Sequence, residues 1–319
     1  MSMKRKLKLN QNFVTYGIAL GAFVILQIMV LIGAASRQMQ SLLVPCCINI
    51  ILAVSLNLVV GVLGELSLGH AGFMSVGAYA GCLFAVHMEE LLPMVLRFPL
   101  AMLVGGAVAA LFGLLVGIPV LRLKGDYLAI VTLAFGEIIR SIIINLEFTG
   151  GAAGLKGTPQ DAGFTICFVV VLITLIFVLN LIRSKQGRAI MSLRDNTIAA
   201  ESCGINISYY KLMAFVVAAF FAGVAGVLYG HNYSILTAGT FDYNKSIEIL
   251  VIVVLGGMGS IRGSMIAAVV MTVLPEALRF LADYRMLIYA LVLIAIMLIN
   301  ASPAFRQFKL RLRGRKAGK

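Results

Sequence analysis

Residues 9–36 form a run of 28 positions without a single Asp, Glu, Lys or Arg, and apolar runs of similar kind recur as far as residue 301. A helix needs about 20 residues to cross the hydrocarbon core of a bilayer, whereas the apolar core of a signal peptide reaches about 15 at most. The first run is therefore expected to stay in the membrane as a signal anchor behind Lys4, Arg5, Lys6 and Lys8. Charged residues make up 12% of the 319 residues and hydrophobic ones 61%, a balance that cannot cover a water-soluble surface. Soluble, disordered, coiled-coil and nucleic-acid-binding classes are excluded with it.

Ten spans are read, near 13–35, 42–61, 66–87, 98–121, 126–146, 164–182, 212–233, 246–259, 263–280 and 285–301. Three of them (66–87, 126–146 and 263–280) are interrupted or hold polar residues; 246–259 is short, carries Glu248 and ends in glycines. Backbone groups in lipid must be bonded internally, so these spans are expected as helices, and the alternating segments of a β-barrel are absent. The chain reads as an all-α integral membrane protein: a basic N-terminal stretch 1–12, a transmembrane domain 13–301 and a basic tail 302–319.

An even number of crossings with both termini in the cytoplasm places 19 Lys and Arg inside and six outside, with Arg140 within a span. That bias follows the positive-inside rule and explains the net charge of +13 without invoking nucleic acid. The tail then serves as a topology determinant beside anionic lipid. The cysteines, Cys46, Cys47, Cys82, Cys167 and Cys203, have neither disulfide-framework nor zinc-ligand spacing.

Two stretches read as halves of an internal repeat. The run 58–64 (LVVGVLG) parallels 250–256 (LVIVVLG), and each leads through glycines and a serine to another apolar helix. The segment 64–73 (GELSLGHAGF) breaks an apolar run with glycines, Glu65 and His70. An unwound turn there would offer free backbone dipoles to a polar solute, with Gly69, His70 and Gly72 on the path. The alternative is a tight cytoplasmic turn, favoured for Glu65, followed by a packing face of Gly72, Gly77, Ala78 and Gly81. Glu137 and Arg140, three residues apart in an apolar span, are either a structural ion pair or part of a path. The glycine-rich run 149–159 is expected outside, as a plain loop, an external mouth or a docking surface; it matches no nucleotide-binding motif in full.

The long inside loop, 183–211, is the most informative region. Ile190, Leu193, Thr197, Ala200 and Cys203 or Gly204 recur at helical spacing with charges between them. Asn196 is expected to cap a short helix and Gly204 to stop it. Such an amphipathic helix either lies on lipid or enters a groove on a partner.

At this loop the chain resembles the coupling loop of bacterial ATP-binding-cassette importer permeases, through Gly187, Arg188, Ala199, Ala200, Glu201, Gly204 and the following Tyr210, Lys211 and Leu212. With 64–73, 125–130 (GDYLAI) and 255–260 (LGGMGS), the likeness over about 42–301 is to the LivM-type permeases of branched-chain amino acid importers. One departure is Asn196-Thr197-Ile198, where the pattern is expected to carry an acidic residue.

The resemblance implies a multi-pass subunit of a bacterial inner membrane, paired with a LivH-type permease, two cytoplasmic ATPases and a periplasmic binding protein. It implies ATPase coupling through Gly187, Arg188, Ala199, Ala200, Glu201 and Gly204, and inward movement of branched-chain or related hydrophobic amino acids. Glycine-broken helices near Gly69, His70 and Gly72 and near Gly256, Gly257 and Gly259, together with Glu137, are expected on the path. The chain carries no Walker A motif, so it is expected to hold no cofactor and to catalyse nothing; ATP and magnesium belong to the partners. The alternatives are an ion-coupled secondary transporter of a small polar solute and an importer permease for urea or amides.

Overall fold

The computed structural model describes residues 37–123 and 125–277, with a few isolated positions beyond them. The spans expected at 13–35 and 285–301, and both basic termini, lie outside the described residues. Each of the other eight falls on a helix. Helix α1 (Arg37–Asn57) runs on into a turn of π-helix, Leu58–Leu63. It is followed by α2 (His70–His87), α3 (Met94–Val120), α4 (Asp126–Asn145) and α5 (Phe164–Arg183). Two short helices come next, α6 (Lys185–Asp195) and α7 (Thr197–Ser202), then α8 (Ile207–Gly230), α9 (Tyr243–Gly256) and α10 (Ile261–Ala277). Among the described residues, five helices are long and apolar enough to cross a membrane: Met39–Leu63, Met94–Val120, Asp126–Asn145, Phe164–Arg183 and Ile207–Gly230.

Helix α1 is the axis of the bundle. Its Ile51, Leu52, Ala53 and Val54 have no exposed surface, and it packs against α5, α8, α9 and α10. Two of its amides tie it to α10: Asn49 Nδ2 donates to Thr272 Oγ1 and Asn57 Nδ2 to Ser264 Oγ, both at 2.8 Å. Helices in lipid gain little from apolar contact as such, so close backbone approach and interhelical hydrogen bonds hold them together. Helices α2, α3 and α8 meet in this way. A Cβ on Gly77 would overlap the backbone of Gly223, and one on Gly226 would overlap the Met74 carbonyl. The outer faces of α3, α4 and α5 stay apolar and open, with Leu103, Leu111, Ile130, Ile142, Ile173 and Phe177 exposed.

Loops fall alternately at two ends of the bundle. At one end β1 (Leu155–Lys156) pairs antiparallel with β2 (Ile235–Leu236), and Thr158 Oγ1 donates to the Tyr233 carbonyl at 3.2 Å. There Arg97, 6% exposed, also grips Asp161 at 2.7 Å. At the other end the turn after α1, the α6–α7 segment and the α9–α10 turn converge. Arg194 Nη1 donates to the Gly61 carbonyl at 2.7 Å, and Gly259 N to Asn57 Oδ1 at 2.8 Å. This alternation is the one that consecutive membrane crossings require.

Candidate functional site

Two helices break at this second end and their breaks touch. The turn Leu58–Leu63 is wound as a π-helix, and both Gly64 N and Glu65 N donate to the Val59 carbonyl, at 3.0 and 3.2 Å. Gly64 adopts φ +85°, a left-handed conformation that ends the helix, and the chain remains unwound until His70. Helix α9 ends in the same manner at Gly256, with φ +89° at Gly257 and +80° at Gly259 before α10 begins. Asn57 clamps the two together, accepting from Gly259 N while donating to Ser264. The approach is so close that a Cβ on Gly61 would overlap the Gly259 backbone, and one on Gly256 would overlap Gly263 and Ser264. Of the residues expected on a path, Gly256, Gly257 and Gly259 are thus brought together at one junction with the end of α1.

The others sit on the far side of the first break. A Cβ on Gly69 would stand 2.8 Å from the Thr132 carbonyl oxygen, and one on Gly72 would stand 2.8 Å from Gly136 Cα, both on α4. Leu68 N donates to Thr132 Oγ1 at 3.0 Å. His70 is buried, with Nε2 2.8 Å from Ser55 Oγ of α1, and Ala71 N donates to Ser246 Oγ of α9 at 3.2 Å. The segment 65–72 therefore stitches α1, α4 and α9 at once. Glu137 is elsewhere: its carboxylate takes Arg140 Nε at 2.9 Å and Nη2 at 2.8 Å on the half-open flank of α4, with about a third of each side chain exposed (30% and 31%). The spacing of three places both on one helical face.

The segment 183–211 folds into two helices. Ser184 caps α6, its hydroxyl accepting from Gly187 N at 3.1 Å, and a Cβ on Gly187 would overlap the Leu181 carbonyl. Gly187 lets the chain turn this sharply out of α5. Arg188 is exposed and donates to the Arg183 carbonyl at 2.9 Å. Ile190 and Leu193 are buried against the bundle. The helical spacing read from the sequence runs across a break: Asn196 is extended, and its Oδ1 accepts from Ala199 N at 3.1 Å to start α7. Gly204, at φ +80°, closes α7 with Gly204 N to the Glu201 carbonyl at 2.9 Å and Ile205 N to the Ala200 carbonyl at 3.1 Å. Ala200 faces inward at 4% exposure, while Ala199, Glu201 and Gly204 are exposed and Ile198 stands out at 77%.

Both ends of this segment hold the broken turn. Arg194, in the last turn of α6, binds the Gly61 carbonyl. Lys211, in the first turns of α8, forms an ion pair with Glu65 and is 7% exposed, its partner 15%. Sequence reasoning favoured a tight turn for Glu65 and named Lys211 only within a motif, pairing neither it nor Arg194 with the broken turn, and did not single out Asn57 or Ser264. Asn57 alone left a signal, as an amide at the end of a long apolar run.

The described residues contain no group of three or more His, Cys, Asp or Glu placed to hold a metal ion. Residues 38–299 match the family described as "Branched-chain amino acid transport system / permease component". The chain is 35% identical to the high-affinity branched-chain amino acid transport system permease protein LivM of Salmonella typhimurium, over 82% of this chain and 69% of that protein. It is also 35% identical to LivM of Escherichia coli, over 79% of this chain and 66% of that protein. The matched region spans about two thirds of the length of these relatives. The ribose import permease protein RbsC of Haemophilus influenzae is 27% identical over 79% of this chain and 81% of its own length. No solved structure matches the chain. With the family matched across all the described helices, and with LivM-like sequence over the same region, this multi-pass membrane chain belongs to the branched-chain amino acid transport permease family.

Proposed function

We propose that this chain is the membrane-embedded permease subunit of an ATP-binding-cassette importer, moving branched-chain or related hydrophobic amino acids inward across a bacterial inner membrane. In this reading it pairs with a LivH-type permease, receives solute from a periplasmic binding protein and is driven by two cytoplasmic ATPases. The carrying observation is the α6–α7 segment. Its α7 presents Ile198, Ala199 and Glu201 outward, while α6 and Lys211 fasten the segment to the broken end of α1. An isoleucine 77% exposed at the polar end of a membrane bundle suits a partner groove better than water.

The ten-span topology, with 183–211 and both termini in the cytoplasm, remains part of the proposal, supported by the alternation of loops and the positive-inside bias. The two-half repeat belongs to it too: 58–64 ends in Gly64 at positive φ, 250–256 is followed by Gly257 at positive φ, and the two breaks meet at Gly61 and Gly259. The Glu137–Arg140 pair supports a covered flank on α4. A half-open ion pair in the middle of an apolar helix is costly against lipid, so that flank faces the second permease or a hydrated path. A zwitterionic solute would find matched charge there and backbone dipoles at the broken helices. ATP-driven closure of the ATPases would push α6–α7 and rock the bundle between outward- and inward-open states.

Affinity purification of the full chain from its native membranes, followed by mass spectrometry, tests the assembly. The expected result is co-purification of two ATPases and a second permease in stoichiometric amounts. Recovery of the chain alone, or as a homo-oligomer, would argue for a secondary transporter.

A further inference from the structure

The Arg194 side chain lies in a slot between the two broken helices, and the slot is lined by glycine. Its guanidinium donates to the Gly61 carbonyl at 2.7 Å. Its stem runs over Gly64, where a Cβ would stand 2.5 Å from Arg194 Cγ, and its Nη1 reaches Gly259, where a Cβ would stand 3.3 Å away. Three glycines from two breaks that lie far apart in sequence thus admit one side chain of α6. The Gly61 carbonyl belongs to the last turn of its helix, where carbonyls lack partners within the helix and the macrodipole is negative. A cation there is well placed by both effects.

Stability does not explain this contact well. Arg194 is 46% exposed, and Asp195, 3.7 Å from its Nε, is 76% exposed, so solvent screens the charges. Buried packing by Ile190 and Leu193 already holds α6 to the bundle. What the contact adds is a mechanical connection. The turns it touches hold the positive-φ glycines Gly64, Gly257 and Gly259, the places where backbone rotation is cheapest. A π-helical turn next to such a hinge is a frequent functional feature.

We propose that Arg194 is a positioning residue that transmits displacement of the α6–α7 segment to both broken helices at once. This rests on the reading of α6–α7 as the ATPase-coupling segment. A shift of α6 pulls on the Gly61 carbonyl and presses on Gly259, so the ends of α1 and α9 move together. Without the side chain, α6–α7 still seats the ATPases while the breaks no longer follow.

The test compares wild type, Arg194→Met and Arg194→Lys in the complete transporter, reconstituted in proteoliposomes with the binding protein and leucine. Uptake per ATP hydrolysed is the readout, with ATPase content and thermal stability measured on the same samples. Arg194→Met is expected to keep its ATPases and its stability while the coupling ratio falls on the order of ten-fold. Arg194→Lys, which keeps a cationic donor but loses the planar fork, is expected to restore part of the ratio. An unchanged ratio in Arg194→Met overturns the proposal. Loss of the ATPases in Arg194→Met also overturns it, making Arg194 a docking contact while the coupling reading stands. Failure of both variants to assemble assigns the residue a structural role and equally overturns it. If the wild-type complex holds no ATPase, the coupling reading itself has failed.

Discussion

Ile198→Asp is expected to remove most of the ATPase from the purified complex and to reduce uptake accordingly. The side chain is the most outward apolar group of α7, and α7 is only six residues long, so little else is available to fill a groove. A buried anchor at an interface is commonly worth about 2–4 kcal/mol, and placing a carboxylate in its pocket adds a desolvation cost. A loss of affinity on the order of 100-fold or more follows. Gly204→Val should act in the same direction by another route. A Cβ at Gly204 meets nothing within 4 Å, but the left-handed φ of +80° disfavours a β-branched residue, so α7 would end differently and turn its outer face away. Glu201→Gln, on the same exposed face, should matter far less. A helix that lies on lipid predicts instead that Ile198→Asp and Gly204→Val leave the ATPase content unchanged.

The second large effect concerns the Lys211–Glu65 pair. Lys211 is buried, and its carboxylate partner lies 146 residues away in sequence. Removing one member strands a charge in a site with little water, which typically costs about 3–5 kcal/mol. Lys211→Met and Glu65→Leu are each expected to lower the melting temperature in detergent sharply and to reduce the yield of monodisperse protein. The double variant, with neither charge left, should recover most of that loss. Additive losses in the double variant would show that the two side chains do not stabilise one another.

The sequence carried the helices well and their faces poorly. Apolar runs place the helices, glycines place the breaks after Leu63 and Gly256, and the Asn196–Gly204 pair bounds α7 nearly to the residue. Which spans are central was not legible. Helix α1 is 89% buried over its most apolar window and α4 only 28%, yet both are apolar, because lipid and protein interior select for the same residues. Long-range polar pairs were also hidden. Asn57 with Ser264, Arg194 with Gly61, Lys211 with Glu65 and Arg97 with Asp161 depend on how helices are arranged in space, which no local spacing encodes. Splitting of 183–211 into α6 and α7 depended on Asn196, whose extended backbone interrupts the periodic run and whose side chain caps the second helix, so one amphipathic run became two helices.

The central claim is that this permease is energised by ATP through partner subunits. Its most direct test is radiolabelled leucine uptake into proteoliposomes holding the chain with its second permease and ATPases, the binding protein being supplied on the binding-protein side. Uptake is predicted to require ATP and magnesium on the ATPase side, to need the binding protein and to be indifferent to collapse of proton and sodium gradients. Uptake that persists without ATP and follows an imposed proton or sodium gradient would contradict it.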